Sequence, residues 1–441
     1  MHKFVLLLKI IVPCFLAGIN LYGAENSAPA GIDQLLLERA RNGEAQARLE
    51  AGFAFYRNNN PVRAAYWFGL AAQQGLAEAQ YNMGCCYLAG YGVEKNLHTA
   101  LKFFQQAAAQ ELPPAQLEYA KLLLTGIAAV PDAAPPRKAV EPDEKTAAAL
   151  LEKLLNKRYK ASYLVYANHL IKKHRQDKPE KIIALLEMAI GAGEKKAPVI
   201  LADFLLNRHD KFRDEKRAKL LLENSAPGDP EAMAKLAFIV ENGFGAPPEP
   251  AKAFELYKKA LQKTFVPMAV ARLANYYYAG SYGVKQDVVR AIELYTGAAA
   301  AGVPEALTKL GICHKNGIGV KVDKEQAFEL FFQAAKQDYP PAQYELGKCF
   351  AEGSGTIADL QGAFYWFNQS AMRYEPRGLL EAGRCLLHGK GTTPDAEKAA
   401  AYLEQAYANG MNEALPLLHE ARKQQQIKPA VKPQKLPVFG L

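Results

Sequence analysis

The sequence predicts an all-α fold, an α-solenoid of about ten helix hairpins with a capping helix at each end. Three observations predict it. A small residue returns as Gly52, Gly84, Ala120, Ala167, Ala202, Ala237, Ala274, Gly311, Gly347 and Gly383, at intervals of 32, 36, 47, 35, 35, 37, 37, 36 and 36 residues. Between these marks, two small residues seven apart recur as Ala64 and Ala71, Ala100 and Ala107, Ala253 and Ala260, Ala291 and Ala298, Ala327 and Ala334, Ala363 and Ser370, and Ala399 and Ala406. A glycine turn separates the two sets, as Gly90-Tyr91-Gly92, Gly243-Phe244-Gly245, Gly317-Ile318-Gly319, Gly353-Ser354-Gly355 and Gly389-Lys390-Gly391. Units of this length cannot bury a hydrophobic face alone, so they must stack.

Residues 304–339 show the unit most clearly. Ala306, Leu310 and Gly311 share one face of a first helix, which glycine ends after Asn316. Asp323 reads as the N-cap of a second helix that carries Ala327, Leu330, Phe331, Ala334 and Ala335 at helical spacing. Trp67, Phe103, Tyr257, Tyr295, Phe331 and Trp366 are the aromatics expected to fill the space beside the marks.

In chain order, residues 1–24 read as a signal peptide: Lys3, an apolar run from Phe4 to about Leu21, then Gly23 and Ala24. An uncleaved anchor is the alternative. Residues 25–43 form a polar linker and an N-terminal capping helix from Ile32 to about Asn42. The repeats occupy residues 44–423. Within them, residues 126–145 are a proline- and charge-rich loop, and residues 115–228 are degenerate repeats that lack the glycine turn. Residues 151–222 hold seventeen Lys plus Arg against nine Asp plus Glu, nearly the whole net charge of +9. A final helix spans residues 413–423, and residues 424–441 read as a disordered basic tail.

The pattern Ala-x-x-x-Leu-Gly-x-x-Tyr-x-x-Gly-x-Gly-Val-x-x-Asp-x-x-x-Ala-x-x-x-(Phe/Trp)-x-x-Ala-Ala is clearest at residues 79–108, 306–335 and 342–371. It resembles the Sel1-like repeat, a relative of the 34-residue tetratricopeptide repeat. The resemblance implies a right-handed α-solenoid that serves as an adaptor or scaffold for other proteins. By analogy with the tetratricopeptide architecture, the first helices line the concave side through the residues three before, one after and four after each mark. Candidate protein-binding residues on that stripe are Phe53, Tyr56, Tyr81, Phe238, Asn275, Tyr278, Lys315, Tyr344, Lys348 and Arg384.

Motifs for catalysis are missing. The sequence holds no nucleophile elbow, His-Glu-x-x-His, phosphate loop or Cys-x-x-Cys. The Gly-x-Gly turns follow helices rather than strands, which is the wrong context for a dinucleotide site. Cys86, Cys313, Cys349 and Cys385 share one register position, too far apart for disulfides, and read as buried thiols. Cys85 is the thiol expected to be exposed. Cys385 and His388 lie one turn apart but lack further metal ligands.

The expected function is that of a non-catalytic exported scaffold, periplasmic or secreted, that binds protein or peptide partners on its concave face. No cofactor, metal or nucleic acid is expected, and no membrane span remains after signal cleavage. An anionic glycan held by the basic middle repeats is the alternative partner. A cell-wall or lactam hydrolase is a weaker alternative, since no polar constellation supports it.

Overall fold

The structure is a computed structural model and describes residues 32–130, 138–173, 178–207 and 210–427. The expected signal segment 1–24 and tail residues 428–441 lie outside the described residues. Among those described there are 22 helices and no strand beyond one antiparallel bridge between Ile127 and Val140.

Two compact units divide between Phe204 and Leu205. The first holds the cap α1 (Gln34–Arg41) and the hairpins α2 (Ala45–Arg57) with α3 (Pro61–Gln73), α4 (Ala77–Ala89) with α5 (Leu97–Ala109), α6 (Pro113–Thr125) with α7 (Glu144–Asn156), and α8 (Ser162–Lys173) with α9 (Pro179–Gly191). It ends within α10 (Ala197–Leu206). The second continues with α11 (Glu215–Ser225) and holds α12 (Pro230–Asn242) with α13 (Pro250–Lys263), α14 (Pro267–Ala279) with α15 (Val288–Ala300), and α16 (Pro304–Asn316) with α17 (Lys324–Ala335). It closes with α18 (Pro340–Glu352) and α19 (Leu360–Ala371), α20 (Pro376–His388) and α21 (Ala396–Ala408), and α22 (Ala414–Ile427).

Local chemistry sets these boundaries. First helices in the second unit open on proline, whose fixed φ suits the first turn and whose missing N–H had no partner there anyway. Gly317 ends α16 in the left-handed region at φ 68°, with its N–H bonded back to the Cys313 carbonyl. Asp323 then caps α17, its carboxylate accepting from the Gln326 N–H at 2.8 Å. Asp287, Asp359 and Asp395 repeat this role for α15, α19 and α21. The insertion after α6 is tied at its base by two backbone hydrogen bonds of 2.8 Å between Ile127 and Val140. At the end of the chain, α22 runs to Ile427, past the boundary expected at Lys423.

The core shows why the marks are small. A Cβ on Gly311 would lie 2.7 Å from the Phe331 ring, and the same clash would occur at 2.4 Å for Gly52 with Phe68, and at 2.6 Å for Gly84 with Phe104 and Gly347 with Phe367. Where the mark is Ala237 or Ala274, the matching second-helix residues are Tyr257 and Tyr295, both fully buried. In each of these hairpins the aromatic stands four residues after the first small residue of the second helix. Three expected core aromatics are therefore one place early: Phe68, Phe104 and Phe367 take the position assigned to Trp67, Phe103 and Trp366. One residue is 100° around a helix, which leaves Phe103 and Trp366 only partly covered.

Cys86, Cys313, Cys349 and Cys385 are buried and unbridged. Cys85 is half-buried rather than exposed, because its thiol turns onto the buried Tyr81. Burial pushes the Cys85 thiol up to about 12 and those of Cys349 and Cys385 to about 11. Thiolate is the reactive form. The expected result at pH 8 is negligible labelling of these five cysteines by a thiol reagent in the native chain and full labelling in denaturant, read site by site by mass spectrometry. Rapid native labelling of any of the five would contradict the packing described.

Candidate protein-interaction face

Within the second unit, consecutive first helices touch: α16 with α18, α18 with α20, and α20 with α22. In the first unit α6 touches α8. Consecutive second helices approach each other less closely. Elements that crowd together lie on the inside of a curved stack, so the first helices form the inner face of each unit.

The residues exposed there differ by part of a turn from the stripe expected. The row three before each mark is mostly core, with Leu49, Ala234, Ala271, Thr308 and Leu380 all buried. The row two before the mark carries Lys235, Arg272, Lys309 and Glu381, which stay half-buried, and Glu345, which is buried. Its charged residues pair with others on the same and neighbouring first helices in a ladder of ion pairs.

Arg272 stands between Glu241 at 3.8 Å and Glu305 at 3.4 Å and covers the Phe238 ring at 5.0 Å. Tyr257 donates its hydroxyl to Glu241 at 2.9 Å. Further along, Glu345 sits between Lys315 at 3.7 Å and Arg377 at 3.4 Å, and Arg377 also holds Glu375 at 2.9 Å. Glu352 faces Lys315 at 3.7 Å and Lys348 at 3.9 Å. Arg384 lies 3.7 Å from Glu381. Partly exposed pairs of this kind contribute about 0–1 kcal/mol each, so the ladder sets register and local charge more than stability.

The candidate residues divide into two sets. Tyr81 is buried against Phe104 at 5.9 Å. Asn275 is committed at both ends, donating to Glu305 at 2.8 Å and accepting from the Tyr295 hydroxyl at 2.6 Å. The Lys315 side chain is 14% exposed. These three hold hairpins together. Phe53, Tyr56, Phe238, Tyr278, Tyr344, Lys348 and Arg384 stay partly exposed. Tyr344 is clasped by the Arg377 guanidinium at 4.4 Å and the Lys348 ammonium at 5.8 Å.

Arg272 Nε, Lys315 Nζ and Arg384 Nε are buried and make no hydrogen bond within the chain, although Arg272 Nε lies 3.4 Å from Glu305 and Lys315 Nζ 3.7 Å from both Glu345 and Glu352. His314 Nδ1 is likewise without a partner, while His388 faces Glu420 at 3.9 Å rather than Cys385. Among the described residues no three His, Cys, Asp or Glu side chains gather as metal ligands, and no helix is long and apolar enough to cross a membrane.

The Sel1 repeat model matches residues 50–76, 77–112, 230–264, 267–303, 304–339, 340–374 and 376–411, more than half of the chain. The chain belongs to the Sel1 repeat family. All seven matched segments of this Sel1 repeat protein fall outside the degenerate stretch 115–228, where hairpins form without the consensus turn. Among solved structures it is similar to a protective antigen of uropathogenic Escherichia coli with an SLR fold, at 22% identity over 92% of this chain and 100% of that one, with a TM-score of 0.53. A Sel1 repeat protein from Oxalobacter formigenes matches at 20% identity over 53% of this chain and 99% of its own, with a TM-score of 0.41. The likeness to the SLR-fold antigen concerns the fold alone. The DAP3-binding cell death enhancer 1 of Rattus norvegicus is 38% identical over 84 residues, 19% of this chain and only 16% of the relative. Sel1 repeat proteins generally mediate protein–protein interactions.

Proposed function

We propose that this Sel1 repeat protein is a non-catalytic, exported scaffold that holds a partner protein or peptide on the inner face of its first helices. The carrying observation is the set of half-exposed aromatics Phe238, Tyr278 and Tyr344 on that face, with Arg272 over the Phe238 ring and Arg377 and Lys348 over the Tyr344 ring. The aromatics offer area next to these charges, the pairing common in protein interfaces. Export rests on the signal-like residues 1–24 and is tested by cell fractionation with and without that segment; an unprocessed cytoplasmic chain would end that part of the reading.

Affinity capture from an envelope extract, run with the intact protein and with a Tyr344→Ala/Arg384→Ala variant, tests the face. The expected outcome is one protein recovered stoichiometrically, with affinity reduced at least about tenfold by the variant, the effect of truncating central interface anchors. Equal recovery by both chains, or no protein above background, would remove the inner face as the binding site.

A further inference from the structure

The basic middle of the sequence, residues 151–222, is not a uniform charged surface. In its second-unit part, Arg213 is paired with Glu215 at 2.6 Å. In the first unit, Lys153 and Lys157 both hold Glu111, at 2.5 and 3.0 Å, and Lys181 is paired with Glu152. Hydrogen bonds from Lys153 and Lys157 hold the Glu111 carboxyl down at about 2. In the first-unit part of this stretch, besides Lys172 and Lys178 beside the turn from α8 to α9, the contacts leave Arg158, Lys160, Lys195 and Lys196 exposed and without an ion pair among the described residues.

These four occupy two corresponding places. Arg158 and Lys160 lie on the turn from α7 to α8, and Lys195 and Lys196 on the turn from α9 to α10. Both turns join a second helix to the next first helix, so both emerge at the same end of consecutive hairpins, about 10 Å apart at ordinary helix packing. Arg158 sits in the left-handed region at φ 53°, the conformation taken by Gly75, Glu111 and Gly193 on the matching turns. Glu194 is the carboxylate on these two turns.

Tyr159, between Arg158 and Lys160, is half-buried, and neither turn carries a fully exposed aromatic or large aliphatic side chain. That argues against stacking on sugar rings or wedging between bases and leaves charge as the means of recognition. Four cations on protruding turns at one edge can all meet a single plane of anions.

We propose that this edge of the first unit docks on an anionic lipid surface through Arg158, Lys160, Lys195 and Lys196. The site is separate from the inner face and does not depend on it. Co-sedimentation of the full chain with vesicles of phosphatidylcholine alone, or with three-tenths phosphatidylglycerol, tests the proposal. The anionic vesicles should retain the protein at low salt and release it at about 0.5 M, where the Debye length falls to a few ångströms. Each cation near such a surface changes partitioning about fivefold. Arg158→Gln with Lys160→Gln should therefore lower binding about 25-fold, the change at all four positions more than 100-fold, and Glu194→Gln should raise it.

Any contribution of residues 1–24 is common to all these chains and is read from the neutral vesicles. Lys252→Gln with Lys258→Gln, in the other unit, should leave binding unchanged, and circular dichroism melts should coincide because all four turn positions are exposed. Equal retention on neutral vesicles, full retention by the fourfold variant, or binding to purified acidic cell-wall glycan without binding to vesicles would each overturn the proposal.

Discussion

Phe331→Ala is expected to lower stability by about 3–5 kcal/mol, the cost of emptying a well-packed aromatic site. The ring is fully buried and lies over Gly311, which has no side chain to move into the space. Helix backbones on both sides are fixed by their own hydrogen bonds, so the cavity cannot collapse cheaply. Phe332→Ala is the matched control. That ring is only partly covered and stacks on Phe328 at 6.3 Å, so its loss should cost distinctly less. Guanidinium unfolding of both variants checks this, with the midpoint shift interpreted only where the slope is unchanged. In a repeat array each hairpin is stabilised by its neighbours. Hydrogen exchange should therefore show the largest loss of protection in α16 and α17 and smaller losses in α14 and α18. A shift below about 1 kcal/mol would mean that the aromatic on its glycine is not the main lock of the hairpin.

The hairpins were legible because close packing of two helices demands a small residue at a fixed register, and such residues stand out at intervals near 36. The caps and turns were legible for a similar reason: Asp323 and Gly317 act through local backbone geometry that the sequence states directly. Side-chain direction was less so. The sequence contains Trp366 next to Phe367, and composition does not say which ring faces the glycine; the structure decides for Phe367, four residues after Ala363.

A similar rotation moved the exposed stripe from the row of Leu380 to that of Glu381. A signal for it existed, since Lys235, Arg272, Lys309 and Glu381 are charged at the same register, and charge seldom belongs in a core; Glu345, at that register too, is buried between Lys315 and Arg377. The contacts of Glu345 with Lys315 and Arg377 join residues 30 and 32 positions apart in sequence, on three helices. They depend on rotamers and interhelical distances that no periodicity supplies.

The glycine turns carry the second large expected effect. Gly355→Ala should cost about 2–5 kcal/mol, from two sources that act together. Gly355 has φ 72°, a conformation that costs an L-residue roughly 1–2 kcal/mol. A Cβ there would also lie 2.0 Å from the Lys324 carbonyl oxygen and 3.0 Å from the Glu325 N–H nitrogen. Those atoms are backbone in the first turn of α17, so relief requires the hairpins to move apart, an overpacking cost of about 1–3 kcal/mol.

Gly391 repeats the arrangement, with 1.9 Å to the Leu360 carbonyl. Gly193 separates the two sources, because it has φ 85° but a Cβ there would meet nothing within 4 Å; Gly193→Ala should show the conformational cost alone, roughly 1 kcal/mol. Thermal or denaturant unfolding of the three variants makes the comparison. If Gly355→Ala and Gly193→Ala cost the same, close approach of the turn to the preceding hairpin would not be the reason for the second glycine. If they differ as expected, the Gly-x-Gly sequence is a spacer between helix hairpins, and its likeness to a phosphate-binding loop is accounted for by backbone packing.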